Sequence, residues 1–586
     1  MPAPASFIAQ IASDHRGNDD LLTAGLGLEG LQLPVPPAFA DPAHPTAVEA
    51  RRRAIWSNWR GIADLSPGGG YGALYGSTAA VPGREFSALA TVPGARHPHR
   101  VLVQVPDAFD QSRRCIVVAP ASGSRGVYGA ISVAGAWGLP RGCAIAYTDK
   151  GAGSDYFDLD AGIGVRVDGT LGSVADGGLA FAPAVPAGTT GVAFRHAHSQ
   201  DNPEADWGRH VQQAAQYALQ VLAEALPDAG PFTFDNTRVI AVGISNGGGA
   251  VLRAAELQGS GAGGGWLDAV VAGEPNIYVE GGRPLYDFAT EAALLQPCAL
   301  LHLDATSMAQ PPMRATVEPW WTLRCASLKA AGMISGDTVA EQAKSAYDAM
   351  RANGWSDAAQ RSGAASSGFD LWRSVAVTYA SAYGRYGVGE HPCGYGFAAQ
   401  APDFSLRPAS DVERAAWWSE AAGIPPGNGV NLIDTKIAPP DFTLAGLQCL
   451  RALWSGQGVD PDRVRKGVAE TRAGLPRDGL PVIVVHGLDD GLVPPAFSSM
   501  PYVAAAQGAG RQVRYWQVRN AEHFDAFLGF PDYAARFVPI LPYVYAALDQ
   551  VDAYLDGRGA LPADAVVQTT PRGAGALSAD GLAIPK

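Results

Sequence analysis

Short β-branched apolar runs alternate with helix-forming runs in two stretches of this chain, and such alternation marks a parallel sheet covered by helices. The first stretch carries "RVLVQVP" (100–106), "CIVVAP" (115–120), "CAIAYTD" (143–149), helix-like "WGRHVQQAAQYALQVLAEAL" (207–226) and "RVIAVGIS" (238–245). It runs on through "LDAVVAGEPNIYV" (267–279), where the pattern stops. It resumes near "DFTLAGLQCLRALW" (441–454), followed by "LPVIVVHG" (480–487), "QVRYWQV" (512–518) and an amphipathic helix at "YVYAALDQVDAYL" (543–555). The reading is an α/β chain in three parts: 1–279, an N-terminal extension and the first part of the sheet domain; 280–440, an insertion; 441–586, the second part of the sheet domain.

The length of 586 residues suits either two domains or one large domain with a long insertion. The segment 280–440 holds a helix at "DTVAEQAKSAYDAMRANGW" (337–355) and the aromatics Trp320, Trp321, Trp417 and Trp418. It reads as a lid that supplies apolar walls over a site at the sheet edge. Each Trp reads first as core rather than as a substrate contact.

Composition narrows the partners. Gly and Pro number 71 and 44, short of a low-complexity chain, and 47% of residues are hydrophobic, as in a globular protein. The net charge is −13 with no Lys/Arg-rich block, which argues against nucleic acid and anionic membrane surfaces as partners. No apolar run approaches the length of a bilayer span. The opening "MPAPASFIAQIASDH" lacks a basic start followed by an apolar stretch, so the chain as written shows no export signal.

Six cysteines are scattered without a C-x-x-C pair, against a zinc site or a thioredoxin-like motif. Cys115 and Cys143, each opening a strand, read as small buried hydrophobes. Cys298, Cys325, Cys393 and Cys449 are left open between paired and free.

Gly243-Ile244-Ser245-Asn246-Gly247 is a G-x-S-x-G set between a strand and a helix, the context of a nucleophile elbow in an α/β-hydrolase fold. A serine hydroxyl needs a base to take its proton, and the base needs an orienting carboxylate. The expected chain order is Ser, Asp, His. "VIVVHGLDDGLVPP" places Asp490 in a loop after a strand, and "VRNAEHFDAF" places His523 after the next strand. Asp489 competes with Asp490, which is preferred because "HGLDDGLVP" resembles the H-G-x-x-D-x-x-V-P loop of many α/β-hydrolases. His486 precedes the acid at a strand end and reads as structural. Glu522 and Asp525 read as solvated or as supports for His523.

A developing oxyanion needs two fixed donors. The backbone N–H of Asn246 is the first candidate, and Ser122 and Gly123 in "PASGSRG" offer the second, although that stretch reads equally as a plain Gly/Ser turn. Arg125, just beyond, could pair with the carboxylate that ends a hydroxy-acid oligomer; the alternative is a solvated loop arginine. "FRHAHSQDNPEADWGRH" (194–210) gathers three histidines and three acids. It lacks metal-ligand spacing, and "NPEADWG" reads as the cap of the following helix. No metal or other cofactor is expected.

The segments "NDDLLTAGLGLEGL" (18–31), "YTDKGAG" (147–153), "HAHSQDNPEADWG" (196–208), "GISNGGGA" (243–250) and "TTPRG" (569–573) resemble the D-(-)-3-hydroxybutyrate oligomer hydrolases. The resemblance spans nearly the whole chain and implies a serine esterase acting on short 3-hydroxybutyrate esters from polyhydroxybutyrate breakdown. It also implies secretion, whereas the chain as written points to the cytoplasm. A more distant likeness is to tannases and feruloyl esterases, which place cysteines beside the catalytic serine and histidine; here Ile244 and Phe524 stand there. A non-catalytic binding protein that keeps the fold is the rival from another class.

Overall fold

A computed structural model describes residues 6–309, 314–403, 405–420 and 430–585. Its main sheet has ten strands: β1 (Phe7–His15), β2 (Gly83–Ala90), β3 (His99–Pro106), β4 (Cys115–Pro120), β5 (Ala144–Thr148), β6 (Arg238–Ile244), β7 (Ala269–Gly273), β8 (Val482–Gly487), β9 (Val513–Val518) and β10 (Ala565–Val567). Their spatial order is β1-β2-β3-β5-β4-β6-β7-β8-β9-β10. From β5 to β10 every pair is parallel, while β1, β2 and β3 join antiparallel at one edge.

The central strands are apolar without a break because helices cover both faces. Val117, Ile240, Val242, Val271, Ile483 and Val485 pack into one core with the helix Leu541–Leu555. Their alternate neighbours Ile116, Val118, Val239, Ala241, Val270, Ala272, Val482 and Val484 pack into another, with the helices Pro203–Ala225 and Asn246–Ala254. Each fully buried aliphatic side chain contributes roughly 1.5–3 kcal/mol, so a slip in register would expose much of both cores.

The insertion leaves the sheet after β7 and returns at β8. Its helices Leu285–Ala299, Val339–Ala352, Leu371–Gly384, Leu444–Ser455 and Val459–Glu470 share one separate core. The last two fall within 441–586, the part that the sequence assigns to the sheet domain. They face Leu285–Ala299 and Leu371–Gly384 instead, and the Cys393–Cys449 disulfide ties the first of them across that boundary. Of the four tryptophans, Trp321, Trp417 and Trp418 are buried and Trp320 is exposed.

All six cysteines are paired, which corrects the reading of Cys115 and Cys143 as hydrophobes. These two join neighbouring strands β4 and β5, with Cα atoms 4.6 Å apart. The pairing was hidden because β5 enters the sheet beside β4 on the side away from β6, an order that strand-by-strand patterning does not carry. No helix among the described residues is long and apolar enough to cross a membrane.

Candidate active site

Ser245 stands where β6 ends and the helix Asn246–Ala254 begins, with φ +57° and ψ −126°. A non-glycine residue in that conformation is strained and persists only where its surroundings over-determine it. The flanking glycines supply the room. A Cβ on Gly243 would lie 2.4 Å from the carbonyl of Gly247, and one on Gly247 would lie 2.6 Å from the carbonyl oxygen of Pro120. The Ser245 N–H donates to Gly273 O at 2.9 Å, so the turn is also pinned to the neighbouring strand.

The loops after β8 and β9 bring the other two expected residues to this serine. His523 Nε2 lies 2.9 Å from Ser245 Oγ, and His523 Nδ1 lies 2.7 Å from Asp490 Oδ2. Asp490 is fully buried, and its Oδ1 accepts the N–H groups of Leu492 and Val493 at 2.9 and 2.7 Å. Burial by itself raises this carboxyl, but His523 and the hydrogen bond from His486 hold it below the usual carboxylate range. His486 Nε2 bonds Asp490 Oδ2 at 3.1 Å and Val493 O at 2.9 Å, the structural role expected of it. Asp489 turns away, its Oδ2 accepting the Asn520 N–H at 2.9 Å.

Three more acids crowd the histidine. Glu274, the first residue after β7, has φ +45° and places Oε2 3.7 Å from His523 Nδ1. Its Oε1 is buried without a hydrogen-bond partner, and burial together with Asp490, Asp525 and Glu522 pushes its pKa well up. Glu522 and Asp525 are buried, which removes the solvated reading for both. Asp525 accepts the N–H groups of Ile540 and Leu541 at 2.7 and 3.0 Å, yet burial still pushes it up to about 7. Burial and the charge of Asp490 push Glu522 well above the carboxylate range. Glu274, Asp490 and His523 bring three potential metal-ligand atoms within 4.8 Å of one another. Two of those atoms, Asp490 Oδ2 and His523 Nδ1, bond each other, so a cation there would have to break that bond.

The serine opens onto a cavity of about 430 Å³, within the range of small-molecule sites. The insertion lines it with Leu285, Phe369, Leu371 and Val375, and the sheet domain adds both apolar groups, among them Phe524 and Phe527, and the polar groups around Ser245. Ser122, Gly123 and Arg125 all line it. A Cβ on Gly123 would lie 2.9 Å from Asn246 Oδ1, so the two stretches expected to supply oxyanion donors abut. Asn246 opens its helix, where a backbone N–H has no intrahelical acceptor.

Arg125 is buried rather than solvated. Its guanidinium donates to Gly61 O at 3.2 Å and Ser57 O at 3.5 Å, and burial pushes its pKa down to about 10. A Cβ on Gly61 would fall 2.0 Å from Arg125 Cζ, so that glycine makes the seat for the guanidinium.

The acid-rich "HAHSQDNPEADWG" does cap a helix: Asn202 precedes Pro203–Ala225, and its side chain accepts the Ala205 N–H. It also delivers Glu204 to the elbow, where Asn246 Nδ2 donates to Glu204 Oε2 at 3.2 Å and to Tyr379 OH at 2.8 Å. Glu274, Lys150 and Tyr379 escaped the sequence reading. For Glu274 a signal existed, an acid directly after a buried strand in "VVAGEPN"; for Tyr379, inside a helix of the insertion, there was none.

A mostly parallel sheet with a strained serine elbow on one strand, and an acid and a histidine after two later strands, defines the α/β-hydrolase class. The chain belongs to the 3HB-oligomer hydrolase family (3HBOH), whose family model matches residues 2–585. It is similar to the D-(-)-3-hydroxybutyrate oligomer hydrolase of Paracidovorax citrulli (strain AAC00-1), 38% identical over 98% of this chain and 90% of that one. The protein of the same description from Burkholderia pseudomallei (strain 668) is 39% identical over 95% of this chain and 87% of its own. Among solved structures, a ligand-bound form of the rice cell wall degrading esterase LipA from Xanthomonas oryzae aligns over 82% of this chain and 91% of its own, with 11% identity and a TM-score of 0.36.

Proposed function

We propose that this protein is a serine esterase that hydrolyses soluble 3-hydroxybutyrate oligomers to 3-hydroxybutyrate. Ser245 Oγ attacks the ester carbonyl while His523 Nε2 takes its proton, and His523 then gives that proton to the departing hydroxyl. Asp490 holds the imidazole in the tautomer that leaves Nε2 free to accept. The N–H of Asn246 and the Ser122/Gly123 loop stabilise the oxyanion. Water, activated by the same histidine, then releases the acyl group from Ser245. The steps call for no cofactor.

The observation that carries the reading is the unbroken line from Asp490 Oδ2 through His523 to Ser245 Oγ, at 2.7 and 2.9 Å, opening onto the cavity. Family membership supports the substrate class. Arg125, buried in the cavity wall, suits the terminal carboxylate of an oligomer, and the insertion acts as a lid that favours soluble chains over a polymer surface. The test follows monomer release from purified 3-hydroxybutyrate trimer beside a galloyl ester and a suspension of polymer granules. Rapid release from the trimer alone is expected. Preference for the galloyl ester, or rapid clearing of the granules, would overturn the assignment.

A further inference from the structure

Segments "YTDKGAG", "HAHSQDNPEADWG" and "GISNGGGA" meet in one buried cluster beside the elbow, although the proposed reaction uses only the last. Lys150 Nζ donates to Glu204 Oε1 and, at 2.5 Å, to Tyr379 OH. It also lies over the rings of Tyr379 and Trp207, at 4.4 and 4.8 Å from their centroids. His196 Nε2 bonds Glu204 Oε1 at 2.8 Å. Burial alone would raise the Glu204 carboxyl, but Lys150 and His196 hold it down to about 2. An ion pair this deep is costly to desolvate and contributes little net stability, so its retention calls for another reason.

The reason lies in what the pair holds. The Asn246 amide gives its hydrogens to Glu204 Oε2 and Tyr379 OH, so a flip would turn Oδ1 against a carboxylate. Its Oδ1 therefore faces the Gly123 backbone, at the distance where a Cβ would already collide. The cluster thereby sets the spacing between the two segments whose N–H groups face a developing oxyanion. Tyr379 comes from the insertion helix Leu371–Gly384 and lines the same cavity, so that spacing also depends on the insertion being seated.

We infer that Lys150, Glu204 and Tyr379 are positioning residues for the oxyanion hole, clamping Asn246 against Gly123 and tying the hole to the insertion. The inference rests on the proposed roles of Ser245 and of the Asn246 N–H. A misplacement near 1 Å in such a site can cost on the order of 10²-fold in rate.

The experiment compares wild type, Tyr379→Phe, Glu204→Gln and Ser245→Ala. Measured for each are kcat and KM on the trimer, affinity for an alkyl boronic acid that forms a tetrahedral adduct on serine, affinity for the product 3-hydroxybutyrate, and Tm. Tyr379→Phe keeps the ring and removes only the hydroxyl, which accepts from Asn246 Nδ2 and Lys150 Nζ. It should lower kcat on the order of 10- to 100-fold and weaken the boronic acid by a similar factor, with KM and product affinity within about threefold of wild type. Glu204→Gln should give the same split even if its Tm falls. The inference is overturned if both variants keep kcat and boronic-acid affinity, or if product affinity falls together with them. Hydrolysis surviving in Ser245→Ala would instead sink the proposed reaction itself.

Discussion

Glu204 meets the elbow at Asn246 and Glu274 meets its histidine, both with nearly buried side chains, and their carboxyls shift in opposite directions. Burial raises both, since removing water always disfavours the charged form. What separates them is company. Glu204 faces the Lys150 ammonium, His196 and the Asn246 amide, and keeps its charge. Glu274 faces three other acids, with one oxygen unbonded, and is driven toward the neutral form. The histidine side thus holds one carboxyl pushed down, Asp490, among acids whose pKa values are pushed up. Several ionised carboxylates there would hold an imidazolium too firmly for it to return its proton to the leaving group. On the side proposed for the oxyanion no proton has to move, so a fixed ion pair can serve as scaffold.

The largest effect expected tests whether the histidine side is the reacting one. Ser245→Ala and His523→Ala should each lower turnover on the order of 10⁴-fold or more, and the double variant should lose little beyond that, because such residues act as a unit. Near-normal trimer hydrolysis in either single variant would break the comparison at its root.

Next comes the division of labour among the acids. Asp490→Asn should cost on the order of 10⁴-fold by favouring the wrong tautomer of His523. Glu274→Gln, which replaces a carboxyl whose pKa burial and neighbouring acids push well up, should stay within about tenfold at neutral pH, and so should Asp489→Asn. Equal losses for Asp490→Asn and Glu274→Gln would mean that Glu274 carries charge after all.

Arg125 sharpens the contrast from the cavity wall. Removing a charge-assisted bidentate contact should raise KM for the free-acid trimer roughly tenfold in Arg125→Ala, with a smaller change for its methyl ester. Equal changes for both substrates would remove Arg125 from substrate binding.

The smallest effect concerns stability. Asp525 sits at about 7 in the folded chain, against about 3.9 for an unperturbed Asp. Between those values the folded state binds more protons than the unfolded one, so this residue's contribution to stability falls as pH rises from about 4 to 7. Asn cannot ionise. The Tm of Asp525→Asn relative to wild type should therefore move in the variant's favour between about pH 5 and pH 8. A Tm difference that stays constant over that range would show that Asp525 is not held protonated.

Much of the fold was legible because its central strands are buried on both faces and therefore read as unbroken apolar runs. Strands β1 and β2 passed unnoticed, and the edge strand β1 shows why: most of its residues are exposed, so it lacks that signal. The insertion was legible as an interruption but not in extent. Leu444–Ser455 has the same amphipathic pattern whether it covers a sheet or packs on other helices, and only its neighbours distinguish the two. Arg125 shows the same limit. A loop position next to Ser124 reads as exposed until Gly61, from a distant segment, closes over the guanidinium.

Local order in the chain was enough to specify the elbow, because a strained turn between strand and helix needs glycines at fixed offsets from Ser245. It was also enough to single out Asp490, by its place in an H-G-x-x-D-x-x-V-P loop, and His523, after the next strand, as candidates, and folding brings both to Ser245. Strand neighbours, disulfide partners and charge states were settled elsewhere, by which segments pack together. The Cys115–Cys143 bond exists because β5 lies beside β4, and the Glu204 carboxyl is held down while that of Glu274 is pushed up because folding brings Lys150 to one and Asp490 to the other. Such contacts join residues tens to hundreds of positions apart. Their energies depend on distance and burial, which no local pattern encodes.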